Sequence, residues 1–139
     1  MAETRHTTSY YAASANPAPE RPALQGSHET DVCIVGAGFT GISAALHLAE
    51  QGFKVTVLEA VKVGFGASGR NGGQIVNSYS RDIDVIERTL GAQQARLLGD
   101  MAFEGGRIIR ERVAQYNIQC DLKDGGVFAA FNSKHMKHL

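Results

Sequence analysis

The chain has no tryptophan, only two cysteines and three prolines, and no excess charge of either sign: 14 Lys+Arg stand against 14 Asp+Glu in 139 residues. Without surplus positive charge it lacks the usual means of displacing counterions from a phosphate backbone, so nucleic acid is not an expected partner. With 43% apolar residues and zero net charge, it does not have the composition of a disordered polypeptide. No run of roughly 18 apolar residues occurs, so neither a membrane-spanning helix nor a membrane partner is expected. The N-terminal segment has no apolar core of the secretory kind, which points to a cytoplasmic location with reduced thiols. Cys33 lies in Val32-Cys33-Ile34-Val35 and reads as a small buried hydrophobe. Cys120, between Gln119 and Asp121, falls in an expected short strand. Their separation suits neither a zinc site nor a CxxC redox pair. His135 and His138 are two ligands without a third, so no metal is expected.

Glycine is abundant, with 16 residues against about 7% in an average protein, and its clusters divide the chain. Residues 1–29 are polar and carry Pro17, Pro19 and Pro22, which block a continuing helix. This reads as an N-terminal arm whose one apolar patch, Ser9-Tyr10-Tyr11-Ala12-Ala13, either docks or stands free. Asp31–Val35 is rich in β-branched residues and does not alternate with polar ones, which predicts a strand buried on both faces. Over Phe39–Gln51 the period changes: Ile42, Ala45, Leu46 and Ala49 define one helix face, and Gly52 supplies a stop. Lys54–Leu58 reads as a second strand closed by Glu59, completing a βαβ unit. Further on, a short helix is expected over Asp82–Leu90, capped by Ser80 or Asp82, and a longer one over Ala92 to about Tyr116. The second would present Leu97 or Leu98, Met101, Gly105, Ile108 or Ile109, Arg112 or Val113, and Tyr116 along one side. A third strand is expected over Val127–Phe131, after the Gly125-Gly126 turn, and Ser133 would cap a last helical turn.

Between the first strand and the first helix stands Gly36-Ala37-Gly38-Phe39-Thr40-Gly41, which fits G-x-G-x-x-G. In that setting Gly36 permits a tight turn, Gly38 lets backbone approach a pyrophosphate, and Gly41 lets the helix pack closely on the strand. Amides of the first helical turn and the helix dipole favour a bound phosphate. Glu59 follows at the distance expected for a carboxylate that accepts ribose hydroxyls, and it disfavours a 2′-phosphate. A second strip, Gly64-Phe65-Gly66-Ala67-Ser68-Gly69-Arg70-Asn71-Gly72-Gly73-Gln74, follows at once. It can underlie a cofactor longer than NAD. The amides of Ala67 and Ser68 would then lie near the pyrophosphate, and Arg70-Asn71-Gly72-Gly73-Gln74 toward a flavin ring. Arg70 is a candidate for tuning a flavin, or equally a member of a structural ion pair. An NAD-binding dehydrogenase part and a non-catalytic small subunit or remnant remain alternatives at this point. His47 and Glu50 fall on the exposed side of the first helix, and Arg107, Arg110, Glu111 and Arg112 form a solvated face with pairs such as Arg107–Glu111.

These segments together resemble the FAD-dependent amine and amino-acid oxidoreductases of the D-amino-acid-oxidase and glycine-oxidase type. The residues that carry the likeness are Val35–Gly41, Leu58-Glu59-Ala60 and Gly64–Gln74, with the Asn77-Ser78-Tyr79-Ser80-Arg81-Asp82 continuation and Phe103–Arg112. The resemblance implies an α/β fold: an incomplete Rossmann-like FAD-binding domain with a βαβ unit, a glycine-rich strip, helices and a third strand. It implies FAD held by Gly36, Ala37, Gly38, Phe39, Thr40, Gly41, Glu59, Ala60, Ala67, Ser68, Gly69, Arg70, Asn71, Gly72, Gly73 and Gln74. It also implies a small-molecule amine substrate, oxidised at its C–N bond to an imine with oxygen reduced to hydrogen peroxide. No residue here qualifies as a catalytic acid or base. Residues 30–139 are accordingly expected to be a partial domain truncated on its C-terminal side and inactive alone, and nothing in the residues specifies a subunit partner.

Overall fold

A computed structural model describes residues 8–127, 129–133 and 135–138. The chain divides into two compact units, Met1–Gln74 and Ile75–Leu139.

In the first unit the proline-bearing arm holds one helical turn, α1 (Tyr10–Ala13), capped by Ser9, whose hydroxyl accepts the Ala12 amide at 3.2 Å. Both tyrosines of the arm's apolar patch are exposed, Tyr10 at 78%. The βαβ unit follows as β1 (Val32–Val35), α2 (Phe39–Glu50) and β2 (Val55–Leu58). The two strands pair in parallel, with Val32 opposite Val55 and Val35 opposite Leu58. Their beginnings are pinned together before the ladder starts. The Lys54 amide donates to Asp31 Oδ2 at 2.8 Å, and the Thr30 hydroxyl donates to the Lys54 carbonyl at 2.6 Å. Helix α2 ends as its glycine signals: beyond Gly52 the Phe53 amide turns back to the Leu48 carbonyl at 3.1 Å.

Two expectations for this unit need correction. Strand β1 is not buried on both faces: Val32 and Ile34 are half-buried, while Cys33 and Val35 are exposed. Successive side chains of a strand point to opposite faces, and α2 covers the face that Ile34 occupies. The other face of this two-stranded sheet lacks such a cover among the described residues, so Cys33 is not the buried hydrophobe expected. The inner face of α2 is also rotated from the expected one. Gly41, Ala45, Leu46 and Leu48 are half-buried, whereas Ile42 and Ala49 are exposed. The rotation has a steric cause: the closest approach of α2 to the turn is made at Gly41, where a side chain cannot fit.

The second unit contains α3 (Ile83–Leu90) and α4 (Ala92–Gln115), joined at Gly91. Asp82 is the N-cap residue of α3, although its side chain makes no capping bond. Along α4 the buried positions are Ala95 and Gly106, with Leu98, Ala102, Ile108 and Val113 half-buried. Met101 and Gly105, expected on this side, are exposed. The preceding segment explains the difference. The Tyr79 hydroxyl donates to the Leu98 carbonyl at 2.8 Å, and a Cβ on Gly106 would stand 2.5 Å from Asn77 Oδ1. Gly106 is therefore the glycine that admits a neighbour, and Gly105 faces open space. Helix propensity alone favours alanine over glycine by about 1 kcal/mol in a helix interior. Gly105→Ala is expected to raise the stability of the chain by close to that amount. Gly106→Ala is expected to gain nothing or to destabilise, because Asn77 must move. Equal gains for both variants in urea unfolding would refute the Asn77 packing.

Beyond α4 none of the described residues lies in a strand, where two were expected. Cys120 lies in a bend beside Asp121, whose φ of 51° is incompatible with an extended strand. Val127 and Ala129–Phe131 are likewise outside any strand, and Phe128 lies outside the described residues. A strand needs a ladder partner, and among the described residues the sheet consists of β1 and β2 alone. Val127 and Phe131 stand 95% and 91% exposed. The last turn, His135–His138, is a 3-10 turn whose His135 amide is held by Asn132 Oδ1 at 3.0 Å rather than by the expected Ser133. No helix among the described residues is long and apolar enough to cross a membrane.

Candidate functional site

The candidate site lies wholly in the first unit, where β1, the glycine turn, α2 and the tip of β2 converge. Strand β1 delivers the chain into the turn through a bond from the Gly36 amide to the Leu58 carbonyl at 2.7 Å. Gly36 then takes a φ of 99°, a left-handed conformation that a residue with a Cβ adopts only under strain. The chain reverses and α2 begins at once, with Gly38 as its N-cap residue. The turn is tight enough that a Cβ on Gly41 would fall 2.0 Å from the Gly36 carbonyl oxygen. Ala37, between them, is 2% exposed.

Glu59 locks this turn from the end of β2. One carboxylate oxygen accepts the Ala37 amide at 2.8 Å and the other accepts the Val61 amide at 3.1 Å. The Ala37 bond first, and the Val61 bond next, hold the Glu59 carboxyl below its ordinary pKa, against a smaller opposing effect of desolvation. Glu59 is thus a solvent-facing anion at neutral pH. Each of its oxygens holds one backbone amide and retains further acceptor capacity. Ala60 follows it on the surface.

The second glycine strip meets the same corner. The Gly64 amide donates to the Ala37 carbonyl at 2.9 Å. Ala67–Gly69 form a 3-10 turn, and Ser68 Oγ accepts the Phe39 amide at 2.9 Å. The strip and the start of α2 are therefore in direct contact. The polar side chains farther along are engaged within the strip itself. Arg70 lies over the Phe65 ring, 5.1 Å from its centre, and donates from Nε to the Phe65 carbonyl at 3.0 Å. Among the described residues no carboxylate pairs with it. Asn71 donates to the Ser68 carbonyl at 2.9 Å and accepts the Gly73 amide at 2.8 Å. This local Asx-type pairing is typical of asparagine two residues before a glycine. The Gln74 side chain folds beside Gly72.

Two features at this corner escaped the sequence reading. One is the use of the Ser68 hydroxyl, where only its amide was singled out. The other is that Glu59 reaches back to the turn itself. No local pattern signals either contact, since each joins residues more than twenty positions apart. His47 and Glu50 are exposed as expected, and Arg107 pairs with Glu104 and Glu111, but Arg112, expected on the solvated face, is half-buried.

The donor and acceptor sets have a definite chemical sense. The first turn of a helix leaves amides without intrahelical acceptors, here at a glycine that cannot cap them itself, and this end carries the positive pole of the helix dipole. A fixed carboxylate stands at the adjoining strand tip. That combination suits a ligand with a diphosphate at one end and vicinal hydroxyls at the other, and the residues present therefore fit a dinucleotide.

Comparison with known proteins assigns the family. The FAD dependent oxidoreductase family matches residues 31–139. Gamma-glutamylputrescine oxidoreductase of Escherichia coli is 62% identical over 98% of the chain, and a probable oxidoreductase, OrdL, of Haemophilus influenzae is 46% identical over all of it. An L-amino-acid oxidase of Trimeresurus stejnegeri is 39% identical over 67% of the chain and 15% of its own length. The chain spans about a third of the length of the two bacterial relatives. No solved structure gives a significant match. The strand–turn–helix corner with its acidic lock and this extended match place the chain in the FAD-dependent oxidoreductase family.

Proposed function

We propose that the chain is the FAD-binding part of an amine oxidoreductase whose substrate is gamma-glutamylputrescine or a closely similar amine. The observation that carries the proposal is the corner where Glu59, bound to the Ala37 amide at 2.8 Å, faces the start of α2. In this reading the Gly36–Gly41 turn and the first amides of α2 receive the pyrophosphate. Glu59 and the adjoining Ala60 receive the ribose next to the adenine. Ala67, Ser68 and Gly69 border the pyrophosphate from the other side, and Arg70, Asn71, Gly72, Gly73 and Gln74 extend toward the ring. Bound FAD supplies the electron acceptor for C–N oxidation, with oxygen as the final oxidant.

The chain's own residues bind and orient. Glu59 is the acidic side chain at the corner, and its pull on two backbone amides keeps it ionised, which suits hydroxyl binding rather than proton abstraction. The substrate-binding and proton-transfer groups are accordingly assigned outside these 139 residues, the chain alone is expected not to turn over, and a cytoplasmic setting accords with a small-molecule amine substrate. The identity of the relative that is 62% identical supports the substrate assignment.

The test is the flavin content of the purified chain, read from its visible spectrum before and after denaturation. We expect the chain to retain or take up FAD, with a flavin spectrum that shifts on release. A chain that neither carries flavin nor alters the fluorescence of added FAD would refute binding by these segments. In a polypeptide of its relatives' full length, bleaching of the flavin band by gamma-glutamylputrescine in the absence of oxygen tests the substrate.

A further inference from the structure

We propose that Ser68 positions the dinucleotide site by serving as the missing cap of α2, and that the absence of a side chain at Gly38 leaves room for its hydroxyl. The inference rests on the FAD-binding reading above. The backbone at Gly38 is extended, with φ −85° and ψ −172°, so its conformation suits any residue. An N-cap position favours Ser, Thr, Asp or Asn, whose side chains bond an amide of the first turn. Glycine can do no such thing. The cap is supplied instead from 29 positions away, by Ser68 Oγ at 2.9 Å from the Phe39 amide. A Cβ on Gly38 would stand 2.9 Å from that same oxygen, with Ser68 Cβ the next neighbour at 3.8 Å. The place usually occupied by an N-cap side chain is thus taken by Ser68, and a Cβ at Gly38 would force that hydroxyl to shift.

A remote cap achieves what a local one cannot. It fastens the 64–74 strip to the start of α2, beside the bond from the Gly64 amide to the Ala37 carbonyl. The amides of the 67–69 turn and those of α2 are then held at one corner before any ligand arrives. Ordering completed in advance is not charged against binding. As an acceptor from Phe39, the Ser68 hydroxyl also keeps its own proton to donate, so it adds a donor where an anionic ligand is expected.

The test is a double-mutant cycle of Gly38→Ala and Ser68→Ala on the full 139-residue chain. It has two readouts: the dissociation constant for FAD by flavin fluorescence, and hydrogen exchange at the Phe39 amide without FAD. Ser68→Ala is expected to weaken FAD binding about fivefold, the scale of a lost helix cap, and to accelerate Phe39 exchange by a similar factor. Gly38→Ala should do the same by displacing the hydroxyl. The double variant should be no worse than Ser68→Ala alone, because the new methyl group then meets empty space. A Gly38→Ala penalty that persists undiminished in the Ser68→Ala background would overturn the proposal and return Gly38 to the cofactor. Unchanged Phe39 exchange in Ser68→Ala would also overturn it. Failure of the unmutated chain to bind FAD would instead refute the function reading, and the exchange measurement would still decide the role of Ser68.

Discussion

Gly41→Ala is expected to be the most damaging single-methyl change in this chain, with a loss of stability of about 3 kcal/mol or more, at the upper end of overpacking costs. The added Cβ would fall 2.0 Å from the Gly36 carbonyl oxygen. The obstacle is backbone, so no side-chain rotation relieves it. The nearest side-chain atom, Ile34 Cγ2, stands at 3.4 Å and closes the other direction. Either α2 lifts off the sheet or the turn opens. Opening the turn would also disturb Gly36, whose φ of 99° is part of the reversal. Few large side chains are buried elsewhere: among the described residues Ala37 and Ala95 are the fully buried apolar ones. The unit therefore has little reserve against such a displacement. A lower urea midpoint together with loss of FAD binding is the expected result. A midpoint within experimental error of the unmutated chain would show that α2 does not approach the turn this closely. Gly105→Ala, also within a helix but facing open space, is the matched control.

The second large effect is expected at Glu59. In Glu59→Gln the side chain keeps one oxygen, so it can accept from Ala37 or Val61 but not from both. Its amino group then faces a backbone donor at the other position. FAD affinity is expected to fall by at least about tenfold, the scale for bonds to an ionised acceptor. The variant also has a distinct pH signature. The native carboxyl titrates below its ordinary value of 4.5, chiefly because of the Ala37 bond. A depressed native pKa means that the unfolded chain binds the proton more readily. The stabilisation from Glu59 is thus fully present above the unfolded pKa and is lost as pH falls through the native one. The stability gap between the unmutated chain and Glu59→Gln should hold at neutral pH and narrow in that acidic window. A gap that stays constant as the pH falls through the acidic range would show that ionisation of Glu59 does not stabilise the turn.

The strands and helices around the site were legible because their signals are local. The β-branched run before Gly36, the apolar period of α2, Gly52 and the acid at position 59 place β1, α2 and β2 to within about a residue. The same local rules read α3, α4 and the Arg107–Glu111 pair. Local rules failed where a partner decides the outcome. The run at 127–131 has strand composition, but a strand exists only as part of a ladder, and among the described residues none is offered to it. Apolar periodicity favoured Gly105 in α4, yet Gly106 is the buried one because Asn77 packs there. Periodicity also placed Ile42 on the inner face of α2, whereas the short approach to the Gly36 carbonyl turns Gly41 inward instead.

By itself the sequence determined the order strand, glycine turn, helix, strand and acid, because turn glycines, helix period and strand composition act over a few neighbouring residues. Tertiary structure alone decided which atoms meet at the corner: Glu59 on the Ala37 amide, Ser68 on the Phe39 amide, and Gly41 against the Gly36 carbonyl. These contacts depend on where separate segments come to rest once the helix packs on the sheet, and a pattern that extends over a few residues carries no record of that distance.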